Sequence, residues 1–185
     1  MGIKDSYGTI QNAGTAQNKG NRPIYLRNSS NINVYNRSTG TISARKSGTI
    51  SLNGTDGDIN IYNEGTISAT QHGAIINYAD RVSGDIYIEN SGIIRTTNVD
   101  VNNSHTGRHL GSIAILGDDS FTGALTINNT GTIDVVGTRA LPAIRFSNAG
   151  DNTLTTSANI SGVPEQRDAV KSAGEDSVSR YCKSE

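Results

Sequence analysis

The chain has 185 residues, a formal net charge of −1, two Phe and no Trp. This length indicates one domain, and the balanced charge gives no reason to expect binding to nucleic acid or to an anionic membrane. The single cysteine, Cys182, excludes an internal disulfide framework and a cysteine metal cluster. Many Gly, Asn and Thr residues and only three Pro indicate many turns that join short β-branched segments around a thin apolar core.

One pattern recurs along the chain, most regularly as DINIYNEGTISA at residues 58–69. It returns at residues 85–96 and 124–135, and with a hinge two residues longer at residues 31–44. Such recurrence predicts one structural unit that is stacked several times.

Each unit is predicted to hold three short strand segments in which apolar and polar residues alternate. The first segments are residues 24–26, 50–52, 75–77, 113–115 and 144–146. The second segments are residues 32–34, 59–61, 86–88 and 125–127, and the third segments are residues 40–42, 65–67, 92–94 and 131–133. Gly8, Thr9 and Ile10 are interpreted as the third segment of an earlier, incomplete unit, and residues 151–156 as the second segment of the last unit.

Short strands with one apolar face can enclose that face when three of them form each turn of a coil and successive coils stack about 4.8 Å apart. The sequence therefore predicts an all-β fold, a right-handed single-stranded parallel β-helix of roughly five three-strand coils over residues 1–162. The right hand follows only from the general preference for right-handed parallel crossovers.

Three columns of apolar residues are predicted to fill the interior of the coil. They are Ile24, Ile50, Ile75, Ile113 and Ile144; Val34, Ile61, Ile88 and Ile127; and Ile42, Ile67, Ile94 and Ile133. Asn77 falls at an inward position where other units have Leu, Ile or Phe. Either Asn77 is buried and hydrogen-bonded, or a bulge turns Tyr78 inward.

A fourth column is polar and consists of Asn36, Asn63, Asn90 and Asn129, each just after a second segment. Asparagine tolerates the left-handed turn conformation, and stacked amides can bond one another along the axis. We therefore expect a structural ladder rather than a binding site.

Residues 163–185 lack the repeat, are rich in charge and are predicted to be weakly helical or disordered. Pro164 could begin a helix, but Gly174 interrupts the pattern. The segment could cap the open end of the coil, or it could be foreign to the fold. The abrupt change in composition favours the second interpretation.

Pairs of carboxylates are relevant to function because many β-helices act on polysaccharides. Asp58 and Asp85 hold equivalent turn positions, and stacking would place them about 5 Å apart, as in retaining glycosidases. Asn31 and Ala124 hold the same position in other units, which favours turn capping over catalysis.

The outward carboxylates Glu89 and Asp134 are predicted to be isolated, without a neighbouring Arg or Lys. The sequence has neither a GGxGxD calcium repeat nor an HExxH zinc motif. We therefore expect no catalytic residue, no cofactor and no metal site.

An insertion at residues 98–111 is predicted to project as a loop, and loops on rigid scaffolds often carry function. Its candidates for contact with a partner are Asn98, Asp100, Asn102, Asn103, His105, Arg108 and His109. The two histidines could bind metal within a helical turn, but the surrounding Asn and Gly favour a solvated loop.

A second candidate surface carries Tyr35 and Tyr62, which are predicted to stack on the outer face of the second segments. Exposed tyrosines beside amides can bind sugars or protein, and they are also ordinary sheet-surface residues that pack well across strands. The second interpretation is favoured.

The D-I-x-I-x-N-x-G-x-I units, with Ala-Ile segments at residues 73–75 and 143–150, resemble the passenger regions of autotransporters. These are exported β-helical parts of type V secreted proteins of Gram-negative bacteria. The resemblance covers about residues 8–162. It implies an extracellular or outer-membrane-surface location, and a stalk or adhesin that contacts a host-surface protein or glycan. Attachment to the membrane would then require a C-terminal translocator β-barrel, which these 185 residues do not include.

The leading hypothesis is thus a non-enzymatic part of a surface-exposed or secreted passenger. The first 20 residues lack the apolar stretch of a signal peptide, so export would require a longer protein or a signal already removed. The alternative is a carbohydrate-active β-helix, a lyase or glycosidase, that uses Asp58 and Asp85. A spacer without a partner of its own is a third interpretation.

Overall fold

The computed structural model describes residues 2–4, 7–20, 22–77, 83–97, 111–116, 122–136, 143–147, 151–158, 160 and 165–166. Within these ranges the regular elements are all β-strands. None of the described residues belongs to a helix long and apolar enough to cross a membrane.

The strands form three parallel sheets, and the chain visits the sheets in turn. The first sheet contains β1 (Gly2–Lys4), β4 (Ile24–Arg27), β7 (Ile50–Asn53), β10 (Ile75–Asn77), β13 (Ile113–Leu116), β16 (Ile144–Ser147) and β18 (Glu165–Gln166). The second sheet contains β2 (Gly8–Asn12), β5 (Ile32–Asn36), β8 (Ile59–Asn63), β11 (Ile86–Asn90), β14 (Leu125–Asn129) and β17 (Thr153–Thr156). The third sheet contains β3 (Thr15–Asn18), β6 (Thr41–Ala44), β9 (Thr66–Ala69), β12 (Ile93–Thr97) and β15 (Thr132–Val136).

This arrangement confirms the predicted all-β parallel β-helix. In the described part of the chain, five coils supply a strand to every sheet. Strands form here because β-branched Ile and Val recur at every second position, and this spacing places their side chains on one face of the sheet. The hand of the coil stays a prediction.

The three predicted interior columns are confirmed residue by residue. In each column the residues of successive coils are register partners. This holds for the column that begins with Ile24, for the one that begins with Val34 and for the one that begins with Ile42. Their side chains are at most 3% exposed and form one apolar core. Each coil therefore buries its apolar face against the coils above and below, so stability accumulates along the stack.

The first coil corrects one prediction. Gly8, Thr9 and Ile10 do not form a third segment; they belong to β2, where Ile10 aligns with Val34. The third strand of this coil is β3, in which Ala16 takes the place of Ile42. The Gly-Thr-Ile triplet suggested a third segment because three later third segments begin with the same residues. Its sheet is decided by its pairing with β5 of the next coil. The first coil therefore supplies a strand to all three sheets.

Asn77 is buried and aligned with Leu52, as in the first of the two predicted alternatives, and Tyr78 lies outside the described residues. Positions on the other face of the first sheet are also buried. They are Ser51, Ile76, Ala114 and Arg145. The first sheet is therefore covered on both faces in these coils, which leaves the second and third sheets as the accessible faces.

The stack continues beyond the fifth coil. Residues 151–156 supply β17 to the second sheet, as predicted. Ile160 bridges to Ile133 of the third sheet, and β18 pairs with β16. Within the predicted non-repeat segment 163–185, residues 165–166 thus continue the first sheet, and the other residues of that segment lie outside the described residues.

The corner between the second and third sheets brings successive coils unusually close. A Cβ added to Gly65 would lie 2.2 Å from the Gly40 carbonyl oxygen, and one added to Gly92 would lie 2.1 Å from the Gly65 carbonyl oxygen. Gly131 stands in the same relation to Gly92, at 2.1 Å. Glycine is required at this corner because the backbones touch.

We expect Gly92→Ala to lower the free energy of unfolding by about 2 kcal/mol or more, since the coils must separate to admit the methyl group. Gly14→Ala is the matched control because a Cβ there meets nothing within 4 Å. The control should change stability by less than about 0.5 kcal/mol. Urea unfolding followed by circular dichroism measures both, and equal effects would contradict the close-contact explanation.

Candidate functional site

The outer face of the second sheet presents accessible polar and aromatic side chains on four successive coils. We name it the tyrosine face. It consists of Asn33, Tyr35, Asn60, Tyr62, Tyr87, Glu89 and Asn128, which alternate with buried residues along β5, β8, β11 and β14. Parallel pairing in register places these side chains in rows along the coil axis.

Three tyrosines form the centre of this face. Tyr35 and Tyr62 are register partners, and their rings stack with centroids 4.7 Å apart and planes 7° apart. Tyr87 reaches Tyr62 diagonally, with centroids 5.8 Å apart and a tilt of 53°. Stacking on neighbours occupies ring faces, so the phenol oxygens and ring edges are the groups most available to a ligand.

Amide and carboxylate groups flank the rings. The Asn60 side-chain amide donates to the Asn33 side-chain oxygen over 3.0 Å. The Tyr87 hydroxyl donates to Glu89 over 3.1 Å and accepts from the Asn128 amide over 3.1 Å. These bonds fix the orientation of donors and acceptors across neighbouring coils.

Charge lies at one edge of the face. The Arg37 guanidinium lies 5.1 Å from the Tyr35 ring centroid, and its Nη1 lies 3.7 Å from a Glu64 carboxylate oxygen. Both charged side chains are about half exposed, at 45% and 50%. This edge can exchange its ion pair for a ligand at little cost because exposed pairs are weak.

The tyrosine face also changes the acidity of its central phenol. Burial raises the pKa of Tyr62 above its ordinary value of 10.0, and the neighbouring Tyr35, Tyr87 and Glu89 raise it further because they disfavour a second negative charge. The Tyr62 phenol therefore keeps its proton to a higher pH than an isolated tyrosine does.

The predicted asparagine column forms a continuous chain of hydrogen bonds beside the glycine corner. Each side-chain Nδ2 donates to the Oδ1 of the next coil, over 2.8 Å from Asn36 to Asn63 and 2.7 Å from Asn63 to Asn90 and from Asn90 to Asn129. All four side chains are buried. Each amide also donates to backbone carbonyls of the turn, as Asn63 does to Gly65. The column thus has a structural role.

Sequence reasoning missed the first member of this column, Asn12, whose Nδ2 donates to Asn36 over 2.8 Å. Its position two residues after Ile10, like that of Asn36 after Val34, was the available signal.

The two carboxylates considered for catalysis bond to the backbone. Asp58 Oδ1 accepts from the Asp85 N–H over 3.0 Å, and Asp85 Oδ1 accepts from the Ala124 N–H over 2.8 Å. Each side chain thus caps the equivalent turn of the next coil. Asn152 bonds in the opposite direction, since its Oδ1 accepts from the Leu125 N–H of the preceding coil over 3.0 Å.

The prediction that Asp134 is isolated is wrong. Arg95 is its register partner on the third sheet and donates through Nε and Nη2 to the two carboxylate oxygens, each over 2.8 Å. Hydrogen bonding to Asp134 raises the pKa of Arg95. Ile94 and Ile133 were predicted to stack, and Arg95 and Asp134 directly follow them in the sequence. The predicted register therefore already placed the two charged residues side by side. Glu89 differs, since its register partners are Tyr62 and Asn128 and it accepts a hydrogen bond from the Tyr87 hydroxyl.

The other candidate surface was the insertion. All of its candidate contact residues lie outside the described residues. They are Asn98, Asp100, Asn102, Asn103, His105, Arg108 and His109. Among the described residues no group of three or more His, Cys, Asp and Glu side chains is arranged to hold a metal ion. His72, which is described, is buried, and its carbonyl accepts from the Thr96 hydroxyl.

Comparison of the chain with protein-family models, curated proteins and solved structures found no match.

We expect Asn63→Ala to destabilise the chain by about 2–4 kcal/mol, because it leaves buried donors and acceptors without partners. Asn60→Ala is the control, since Asn60 lies on the accessible face and makes one side-chain bond, to Asn33. Its cost should stay below about 1 kcal/mol. Thermal or urea unfolding compares the two, and a ladder variant no less stable than the control would contradict a structural role.

We expect the Tyr62 phenol to keep its proton above pH 10.0 in the folded chain. A raised folded-state pKa contributes stability that is complete below the unfolded-state pKa and is lost as the pH rises through the folded-state pKa. The difference in ultraviolet absorbance between the wild type and Tyr62→Phe reports this titration. The control is the same absorbance difference measured on the chain unfolded in urea. Equal titration midpoints in the folded and the unfolded chain would contradict the statement that burial and the neighbouring side chains raise the pKa of Tyr62.

Proposed function

We propose that the chain is a structural part of a surface-exposed or secreted passenger of the autotransporter type, a stalk that presents a contact surface and has no catalytic activity. The observation that supports this proposal is the regular coil stack itself. Register pairs run from β1 to β18 along the first sheet. Five such coils give a stub of roughly 25 Å. A coil of this kind keeps its outer faces at fixed spacing over its length.

The contact surface in this proposal is the tyrosine face, together with the insertion at residues 98–111. Phenol hydroxyls, amides and a weakly paired Arg37 offer donors and acceptors at coil spacing. Polar, hydrogen-bonding surfaces with aromatic edges suit a host-surface glycan or a polar protein loop.

The location part of the proposal is tested with antibodies raised against the full chain. They should label intact cells of the organism that encodes it, or the culture supernatant. Labelling only after the cells are permeabilised would contradict the proposal.

The contact part is tested by binding of the labelled chain to cultured epithelial cells, with and without enzymatic removal of surface glycans. We expect a Tyr35→Ser and Tyr62→Ser double variant, or deletion of residues 98–108, to weaken binding by about tenfold or more. The control is a Thr41→Ala and Thr66→Ala double variant, which alters register partners on the third sheet. Binding that is unchanged in both test variants would rule out these surfaces, and no binding by the wild type would contradict adhesion.

The alternative proposal is a carbohydrate-active enzyme that uses Asp58 and Asp85, which stand on neighbouring coils. Their use as turn caps explains their positions without chemistry. Cleavage of a polysaccharide by the wild type, lost in an Asp58→Asn and Asp85→Asn double variant with an intact circular dichroism spectrum, would favour the enzyme over the stalk.

A further inference from the structure

Positive and negative charges are separated along the chain, although they nearly cancel overall. From Ser6 to Thr55 every charged residue is a cation. These cations are Lys19, Arg22, Arg27, Arg37, Arg45 and Lys46. From residue 56 to residue 90 the charged residues are acidic except for Arg81. The acidic ones are Asp56, Asp58, Glu64, Asp80, Asp85 and Glu89. The net charge of −1 therefore conceals a basic region in the early coils.

Most of these cations lie on one side of the coil. Lys19 and Arg22 lie in the connection from β3 to β4, and Arg27 is the last residue of β4. Arg45 and Lys46 begin the connection from β6 to β7. All of them thus belong to the first sheet or to the corner that leads from the third sheet into it. We name these five residues the basic band.

The register of the coils stacks members of the basic band along the coil axis. Asn18 and Ala44 are register partners, and the Arg45 N–H donates to the Asn18 carbonyl over 3.3 Å. Lys19 and Arg45 directly follow these two residues, so their backbones stand on neighbouring coils about 4.8 Å apart. The corner therefore holds two cations at coil spacing.

The first sheet adds further cations to the same side. Arg27 has Lys4 as its register partner in the coil before it. Tyr25 lies on the same face of β4 as Arg27, and the Arg22 guanidinium lies 4.6 Å from the centroid of its ring. Stacking on a ring gives a guanidinium a defined position. The band thus combines a positioned cation with several that reach into solvent.

The charges of the basic band are not neutralised by acids in the described part of the chain. Lys19, Arg27, Arg45 and Lys46 are exposed, and none of these four forms an ion pair with a described residue. Like charges held at this spacing repel one another, so a bound anion would lower the electrostatic energy of the band. Because the band lies on the side of the coil, further coils stacked at either end would leave it accessible.

The surroundings of the band distinguish between classes of polyanion. Among the described residues, the large apolar side chains that are exposed are Tyr7 and Val136, and neither belongs to the strands and connections that carry the band. The band therefore lacks apolar groups that would insert into a bilayer. The Tyr25 ring carries a guanidinium on its face, so it does not offer a platform for nucleic-acid bases. A charged sugar polymer needs neither insertion nor base stacking.

We propose that the basic band binds an acidic polysaccharide, a linear sugar polymer that carries sulfate or carboxylate groups. The guanidinium and ammonium groups donate charge-assisted hydrogen bonds to these anions, and the coil spacing presents the donors at fixed intervals. The site is separate from the tyrosine face, which is the outer face of the second sheet. It goes beyond the function proposed above, because it rests on the charges of this chain and holds whether or not the chain is exported.

The test titrates the full chain with two probes and measures the dissociation constants. One probe is a heparin-derived dodecasaccharide, which carries sulfate and carboxylate groups, and the other is a polygalacturonate dodecasaccharide, which carries carboxylates alone. We expect at least one probe to bind, and the affinity to fall as the salt concentration rises, because binding to a polyanion releases counterions. Binding of one probe or of both identifies the anionic group that the band prefers.

Variants locate the site. Arg45→Gln should weaken binding about threefold, and Lys19→Gln with Arg45→Gln about tenfold, as expected when exposed cations are removed from a binding surface. Arg37→Gln is the matched control, because it removes one cation at the corner between the second and third sheets and should weaken binding by less than about 1.5-fold. Circular dichroism checks that each variant is folded. In the chain labelled with nitrogen-15, the probe should shift the backbone amides of Arg27 and Lys46.

Several results would overturn the proposal. They are no binding of either probe at about 50 mM salt, equal weakening by Arg37→Gln and Arg45→Gln, amide shifts confined to the tyrosine face, and equally tight binding of an uncharged dextran. Tighter binding of single-stranded DNA or of phosphatidylserine vesicles than of both sugars would also overturn it, and would identify another polyanion as the ligand. Surface labelling and the tyrosine variants test the function proposed above, so the two proposals can fail independently.

Discussion

Contact between successive coils at the corner between the second and third sheets is the constraint on which the rest of the structure depends. There, a buried asparagine donates to the asparagine of the next coil while a glycine carbonyl fills the space where a Cβ would stand. Both contacts hold only when equivalent residues lie directly above one another. The corner therefore fixes the register, and the register aligns the isoleucine columns that supply most of the apolar burial.

A coil held in this way does not depend on its outward-facing side chains for stability. The core needs few large aromatic side chains, because stacked Ile, Leu and Val fill its narrow interior; the whole chain has two Phe and no Trp. The outer positions of the second sheet can then carry Tyr, Asn and Glu without loss of the core.

The parts predictable from the sequence were those that repeat. Period-two alternation and constant spacing assigned the columns of Ile61 and Ile67 because each residue has equivalents in several coils. Gly8 to Ile10 were misassigned because a single triplet without its neighbours does not reveal its sheet. The Arg95–Asp134 pair was missed since it joins different residue types at one register position, whereas the predicted stacking of Tyr35 on Tyr62 is confirmed.

The most direct test of the account is a double-mutant cycle on one rung of the ladder, Asn90→Ala with Asn129→Ala. The side chains bond over 2.7 Å, so we expect a coupling energy of about 1 kcal/mol or more. The pair Asn36→Ala and Asn129→Ala, which share no hydrogen bond, should be additive within about 0.5 kcal/mol. Additivity in the contacting pair would contradict the claim that the ladder joins the coils.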